Sequence, residues 1–217
     1  MYIGIAGNIG AGKTTLTSLL ARHYNYIPEY EKIEDNPYLY DFYQDMERWA
    51  FHLQIYTLQK KIAQIISIQK SGQNIVQDRT IYEDVFIFST HLHSTGLLSE
   101  RDYNIYLSFF HLMDQFIQAP DLIIYLQANV HTLTQHLYYK NPFFRSKSSD
   151  QELHMNYLYT LNQRYDTWAQ QYKKGKLIVI NIDQNYFNQV STDFEKIIVK
   201  IDEYFAIHSQ ETSKKIF

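Results

Sequence analysis

Four of the seven glycines in this 217-residue chain fall within its first twelve positions. Three of them belong to Gly7-Asn8-Ile9-Gly10-Ala11-Gly12-Lys13-Thr14, a string with the spacing GxxxxGK[ST]. An apolar run, Tyr2 to Ala6, precedes it, and Lys13 to Tyr24, with apolar residues at helical spacing, comes after it. Strand, glycine turn and helix in that order make a cradle for phosphate. Glycine lets the backbone fold until its N–H groups converge, and the helix start adds the positive end of its dipole. The expected contacts to a nucleoside triphosphate are Gly7, Asn8, Ile9, Gly10, Ala11, Gly12, Lys13, Thr14 and Thr15. Lys13 reaches toward the β- and γ-phosphates, and Thr14 offers a hydroxyl to Mg²⁺.

The rest of the chain continues the alternation. Strands are expected at Tyr26–Glu29, from Asn74 to Val76, at Leu122–Leu126 and at Lys176–Ile182. Between them, helices are expected from Pro37 to Tyr43, from Glu47 to Lys70, from Ile81 to His93 and from Arg101 to Gln118. Others start at Val130, span Leu153 to Tyr172 and close the chain from Phe194 to Phe205. In the long helix from Glu47, Phe51, Ile55, Leu58, Ile62 and Ile65 recur at steps of four and three, one helical face. Apolar strands alternating with helices predict a three-layer α/β/α domain over 1–217, with a five-stranded parallel sheet and a frayed tail from Ser209. Such sheets bind ligands beyond the carboxyl ends of their strands.

Composition removes other classes. There is no cysteine, so thiolate chemistry and cysteine metal sites are out. Twenty basic against twenty-three acidic residues leave no field for a nucleic-acid polymer. No apolar run approaches a bilayer span, and MYIGIAGNIG has no basic stretch or cleavage site, so a cytoplasmic location is expected. Neither an NKxD guanine motif nor an LSGGQ signature occurs, and the length suits a small kinase.

Residues at the ends of the other strands narrow the chemistry. The second strand delivers Glu29 and the third Asp78-Arg79, all pointing toward the cradle in a parallel sheet. One carboxylate can take a proton from an attacking hydroxyl, another can order the water shell of Mg²⁺, and the arginine can neutralise a transferring phosphoryl group. At strand ends the same residues also form ordinary surface salt bridges. Gln54 and Lys61, seven residues apart, share one stripe of the long helix. A glutamine amide complements a nucleobase edge, although polar helix positions are more often solvated.

The strings Glu47-Arg48-Trp49-Ala50-Phe51-His52-Leu53-Gln54-Ile55-Tyr56 and Gln77-Asp78-Arg79-Thr80-Ile81-Tyr82-Glu83-Asp84 resemble the deoxyribonucleoside kinase family, in particular its bacterial deoxyadenosine and deoxyguanosine kinases. Asp35-Asn36-Pro37-Tyr38-Leu39 and Arg164-Tyr165-Asp166-Thr167-Trp168 extend the resemblance from Met1 to about Phe205. It implies a P-loop kinase fold with a helical lid at 140–152, ATP as donor with Mg²⁺, and a deoxynucleoside acceptor. Glu29 is implied as the base for the sugar 5′-hydroxyl, with Asp78 its competitor; Lys13, Asp78 and Arg79 complete the catalytic set. Thr14 and Asp78, the latter through water, are implied to hold the metal. Gln54 reads the base, Leu53 and Phe88 sandwich it, Tyr43 contacts the 3′-hydroxyl, and Lys61 with Asp84 favours a purine. Ile182 to Phe187 resembles the loop at the donor's adenine.

The family's arginine-rich lid is altered here. One register puts Arg145 and Lys147 on the lid arginines and Asp150 on a glutamate that holds the 3′-hydroxyl; another uses Lys140-Asn141-Pro142 and has no arginine. Lysine lacks the bidentate grip of a guanidinium, so slower chemistry is expected. The resemblance further implies a homodimer packed through helices, or a pairing with a related kinase subunit. A nucleoside monophosphate kinase and a catalytically weak regulatory subunit stand as alternatives.

Overall fold

Five strands, β1 (Tyr2–Gly7), β2 (Ile27–Glu29), β3 (Ile75–Asp78), β4 (Leu122–Gln127) and β5 (Lys176–Asn181), form one sheet in the order β2-β3-β1-β4-β5. Every pairing is parallel. The computed structural model describes residues 1–32, 35–140, 148–183 and 192–214, with backbone alone at 140, 148–154, 192 and 207–214.

Side chains alternate across a strand, so each strand feeds both faces of the sheet. On one face Ile3, Ile5, Leu122, Ile124 and Leu126 pack under α1 (Lys13–Tyr24), α7 (Val130–Lys140) and α9 (Thr192–Lys214). On the other, Ala6, Ile123 and Tyr125 meet α3 (Met46–Ser71), α6 (Glu100–Met113) and α8 (Ser148–Gln171). Their buried partners include Leu58, Ile62, Ile65, Phe110, Leu161 and Trp168. This is the expected α/β/α layering. Truncating a fully buried side chain such as Leu16 or Leu58 is worth ~2–5 kcal/mol. The short α2 (Leu39–Gln44) packs on α3 through a smaller cluster around Phe42 and Ala50.

Several boundaries differ from expectation. The helix expected from Ile81 to His93 is α4 (Ile81–Glu83), a π-helical run Asp84–Ser89 and α5 (Thr90–Ser94). The hydroxyls of Ser89 and Thr90 donate to the Val85 carbonyl at 2.6 and 3.3 Å, competing with the regular ladder. α6 is capped by Ser99, whose side chain accepts from the Asp102 N–H, and it ends at Met113 rather than Gln118. α9 runs to Lys214, past the expected end at Phe205, through a segment with no glycine or proline to stop it. No described helix is long and apolar enough to cross a membrane.

Candidate active site

β1 ends between β3 and β4, so the turn after Gly7 opens at the carboxyl edge of the sheet, where ligands bind. Gly10 and Gly12 adopt φ of +86°, a left-handed conformation that glycine adopts without penalty. A Cβ on Gly10 would stand 2.8 Å from the Leu133 carbonyl of α7, so the turn is closed by backbone contact. His136 Nδ1 lies 2.9 Å from the Gly10 carbonyl and donates to it in the Nδ1–H tautomer. Asn8 braces the loop from within: its Nδ2 donates to the Leu158 carbonyl at 2.9 Å and to Asn162 at 3.2 Å. Its Oδ1 accepts from the Ile9 N–H at 2.8 Å. Ala11 is buried in the core under α1, Ile9 packs on the opposite face of the sheet, and Thr15 is half-buried on α1.

Lys13 Nζ donates to the Gly7 and Asn8 carbonyls at 2.8 and 3.1 Å. Burial, with Arg79 nearby, pushes its ammonium down to about 8. A polyphosphate that takes those donors favours the charged form, so its affinity should fall as pH rises through 8. At pH 8.5, binding of a non-hydrolysable ATP analogue is expected to take up about half a proton or more. Calorimetry in two buffers of different ionisation enthalpy measures this uptake, and its absence would remove Lys13 from the phosphate contacts.

Thr14 Oγ1 donates to Asp78 Oδ2 at 2.6 Å, and Asp78 Oδ1 is buried with no partner among the described residues. A hydroxyl beside a half-used carboxylate is a donor set that suits Mg²⁺, directly or through water.

Beyond Asp78 the chain turns through Arg79 at φ +66°, a strained conformation for a non-glycine residue. That turn aims the guanidinium inward. Arg79 Nε lies 2.8 and 2.9 Å from the two carboxylate oxygens of Glu31. Its Nη1 donates to the Tyr165 hydroxyl at 3.3 Å, and its guanidinium carbon stands 4.6 Å from the Phe88 ring centre. Lys61, buried on α3, donates to the Arg79 carbonyl at 2.8 Å.

Glu29, the expected base, lies elsewhere. Glu29 is not in this cluster: its Oε2 accepts from Gln64 Nε2 at 3.0 Å, and Gln64 Oε1 accepts from Gln77 Nε2 at 2.8 Å. The parallel register sets Glu29 opposite Gln77, so Glu31, two residues on, comes level with Arg79. Burial alone would raise Glu31, but Arg79, Lys61 and Lys13 hold it below the ordinary carboxylate value.

Of the expected base-reading residues, Lys61 and Phe88 touch Arg79. Gln54 and Lys61 are each 6% exposed, so they are not solvated positions, and Gln54 Oε1 has no partner among the described residues. Asp84 is buried too, with Oδ2 unpartnered among the described residues. Burial, with Glu31 and Glu83 adding to it, pushes its carboxyl up to about 7 against the pull of Lys61 and Arg79. Leu53 is half-buried against the α2 cluster, and Tyr43 is exposed on α2. Arg145, Lys147 and the donor-loop residues Gln184 to Phe187 lie outside the described residues, as does the side chain of Asp150.

Glu83 is a second residue that the sequence pattern did not single out. It is fully buried, accepts from the Gly7 N–H at 3.2 Å and the Tyr165 hydroxyl at 2.9 Å, and closes a capping box on Thr80. The T-x-x-E spacing of Thr80 and Glu83 is a capping-box pattern that could have pointed to the cap; nothing local points to the other contacts.

A phosphate cradle, a hydroxyl–carboxylate pair and a half-buried carboxylate on a buried arginine suit transfer of a phosphoryl group to a hydroxyl. The family model for deoxynucleoside kinases matches residues 3–206. A deoxyadenosine/deoxycytidine kinase of Bacillus subtilis is 31% identical over 201 residues, covering 92% of this chain and 90% of its own. A deoxyguanosine kinase of the same organism is 30% identical, covering 93% and 96%. The structure of a deoxyadenosine kinase from M. mycoides with bound dATP superposes with a TM-score of 0.75 at 28% identity, covering 93% of this chain and all of that one. With the match spanning nearly its whole length, the chain belongs to the deoxynucleoside kinase family and is a phosphotransferase of that kind.

Proposed function

We propose that this enzyme transfers the γ-phosphate of ATP to the 5′-hydroxyl of a purine deoxynucleoside, with Glu31 as the base. The observation that carries this reading is the convergence of Glu31 and Lys61 on buried Arg79, with Arg79 and Glu31 both acting electrostatically on Lys13. Glu31 accepts the proton of the 5′-hydroxyl as its oxygen attacks phosphorus, and Arg79 orients that carboxylate and steadies the oxygen. Lys13 exchanges its two carbonyl partners for phosphate oxygens. Thr14 and Asp78 would hold Mg²⁺, which when bound neutralises phosphate charge. Arg145, Lys147 and Asp150 keep the lid roles that the resemblance implies for them.

The orphaned Gln54 Oε1 calls for a donor on the base, such as an exocyclic amine, and its amide can donate to a ring nitrogen beside it. Ionised Asp84 accepts from the same kind of group. Because its carboxyl titrates near 7, KM for an amine-bearing base should fall as pH rises from 6 to 8. Asp84→Asn should flatten that dependence.

The test is a steady-state assay with Mg·ATP and each of the four deoxynucleosides, run across that pH range. Turnover of deoxyadenosine or deoxyguanosine above the pyrimidines is expected. Activity on monophosphates alone, or nucleotide binding without any turnover, would overturn the reading.

We further propose a homodimer through α6. Ile105, Phe109 and Leu112, with Phe116 beyond the helix end, lie at steps of four, three and four, all exposed. A second copy would cover that stripe. Phe109→Asp should give a monomer in sedimentation velocity, where the parent chain sediments as a dimer.

A further inference from the structure

We infer that Glu83 is a positioning residue that locks the phosphate loop and the Arg79 turn in one register. The inference rests on the phosphotransfer reading above. The two oxygens of its carboxylate have separate tasks. Oε2 accepts from the Thr80 N–H at 2.7 Å and from the Thr80 hydroxyl at 3.3 Å, which caps α4. Oε1 accepts from the Gly7 N–H at 3.2 Å and the Tyr165 hydroxyl at 2.9 Å, and faces Arg79 Nη1 at 3.9 Å.

A cap alone does not account for this placement. Capping is worth ~1 kcal/mol and is available to an exposed glutamate. Glu83 is 0% exposed, and burying a carboxylate costs several kcal/mol unless its lone pairs are met. They are met by donors from three separate places: the first residue of the phosphate loop, the turn that carries Arg79, and α8. The Tyr165 hydroxyl accepts from Arg79 and donates to Glu83, so arginine, phenol and carboxylate close a ring. Gly7 opens the phosphate loop and Arg79 carries the guanidinium that meets Glu31, and the Glu83 carboxylate touches both of those elements. In-line transfer needs that spacing held to a fraction of an ångström.

Glu83→Gln keeps the size of the side chain but offers one acceptor oxygen to the four donors. With fold checked by circular dichroism, the variant should bind an ATP analogue and the deoxynucleoside separately within about threefold of the parent, while kcat falls about thirtyfold or more. In an Arg79→Lys background the same change should cost less than about threefold, because no guanidinium remains to be held. A merely structural role predicts a lowered melting temperature and the same loss in both backgrounds; that result, or an unchanged kcat, would overturn the inference. Should Glu83→Gln fail to fold, Tyr165→Phe, which opens the ring while leaving the cap, should show the same split and the same non-additivity. Absence of turnover in the parent chain would count against the phosphotransfer reading instead.

Discussion

Replacing Glu31 by glutamine is expected to lower kcat by about three orders of magnitude, with KM for both substrates within a few-fold of the parent. Glutamine matches glutamate in shape, so packing is kept while the proton acceptor is lost. The parallel change at Glu29 is expected to alter kcat by less than about threefold, because the contact that holds Glu29 is the Gln64 amide at the edge of the sheet. The two variants form one experiment. A large loss from Glu29→Gln with activity retained in Glu31→Gln would return the base to the position that the sequence suggested. Since Arg79, Lys61 and Lys13 hold Glu31 below the ordinary carboxylate value, it stays ionised at neutral pH. Activity should therefore show no loss from Glu31 until pH falls below the usual carboxylate range.

The second large effect is expected at Arg79. Its guanidinium meets Glu31 through Nε, Tyr165 through Nη1 and the face of Phe88 at once. Lysine carries one nitrogen on a round ammonium and cannot make all three contacts. Arg79→Lys should cost about 10²–10³ in kcat, since both the orientation of Glu31 and the charge at the reacting oxygen suffer. Nucleotide affinity should change little, because no Lys13 or loop contact is removed. Equal losses in nucleotide affinity and turnover, measured by equilibrium binding beside steady-state rates, would place Arg79 in the donor site instead.

Much of this was legible without coordinates, and the reasons are local. The cradle is a contiguous run whose backbone shape depends on glycine at Gly7, Gly10 and Gly12 and on Lys13 after them. The layers come from short apolar runs, read as strands, alternating with helical segments such as α3 with its 3.6 period. Gln54, Lys61, Asp78, Arg79 and Asp84 were found from strand ends, helix spacing and family strings, and each is buried. The π-helical run was not legible, because Ser89 and Thr90 read as ordinary helix positions until both hydroxyls are seen on one carbonyl.

The choice between two carboxylates has a sharper cause. Glu29 closes β2 and Glu31 lies two residues beyond it, so nothing local to the chain says which of the two carboxylates meets Arg79. What chooses is the register of β2 on β3, which sets Glu29 beside Gln77 and leaves Glu31 for Arg79. Register is a relation between segments distant in the chain, here the parallel pairing of Ile27–Glu29 with Ile75–Gln77. Glu83 is the same case: its cap on Thr80 is written three residues apart, but its contacts to Gly7 and Tyr165 span 76 and 82 positions. By itself, then, the sequence determined the phosphate cradle, the layered sheet and the family, because these depend on short-range pattern. Which carboxylate meets the arginine, and which one ties loop to turn, was decided only when β2, β3, α4 and α8 came together.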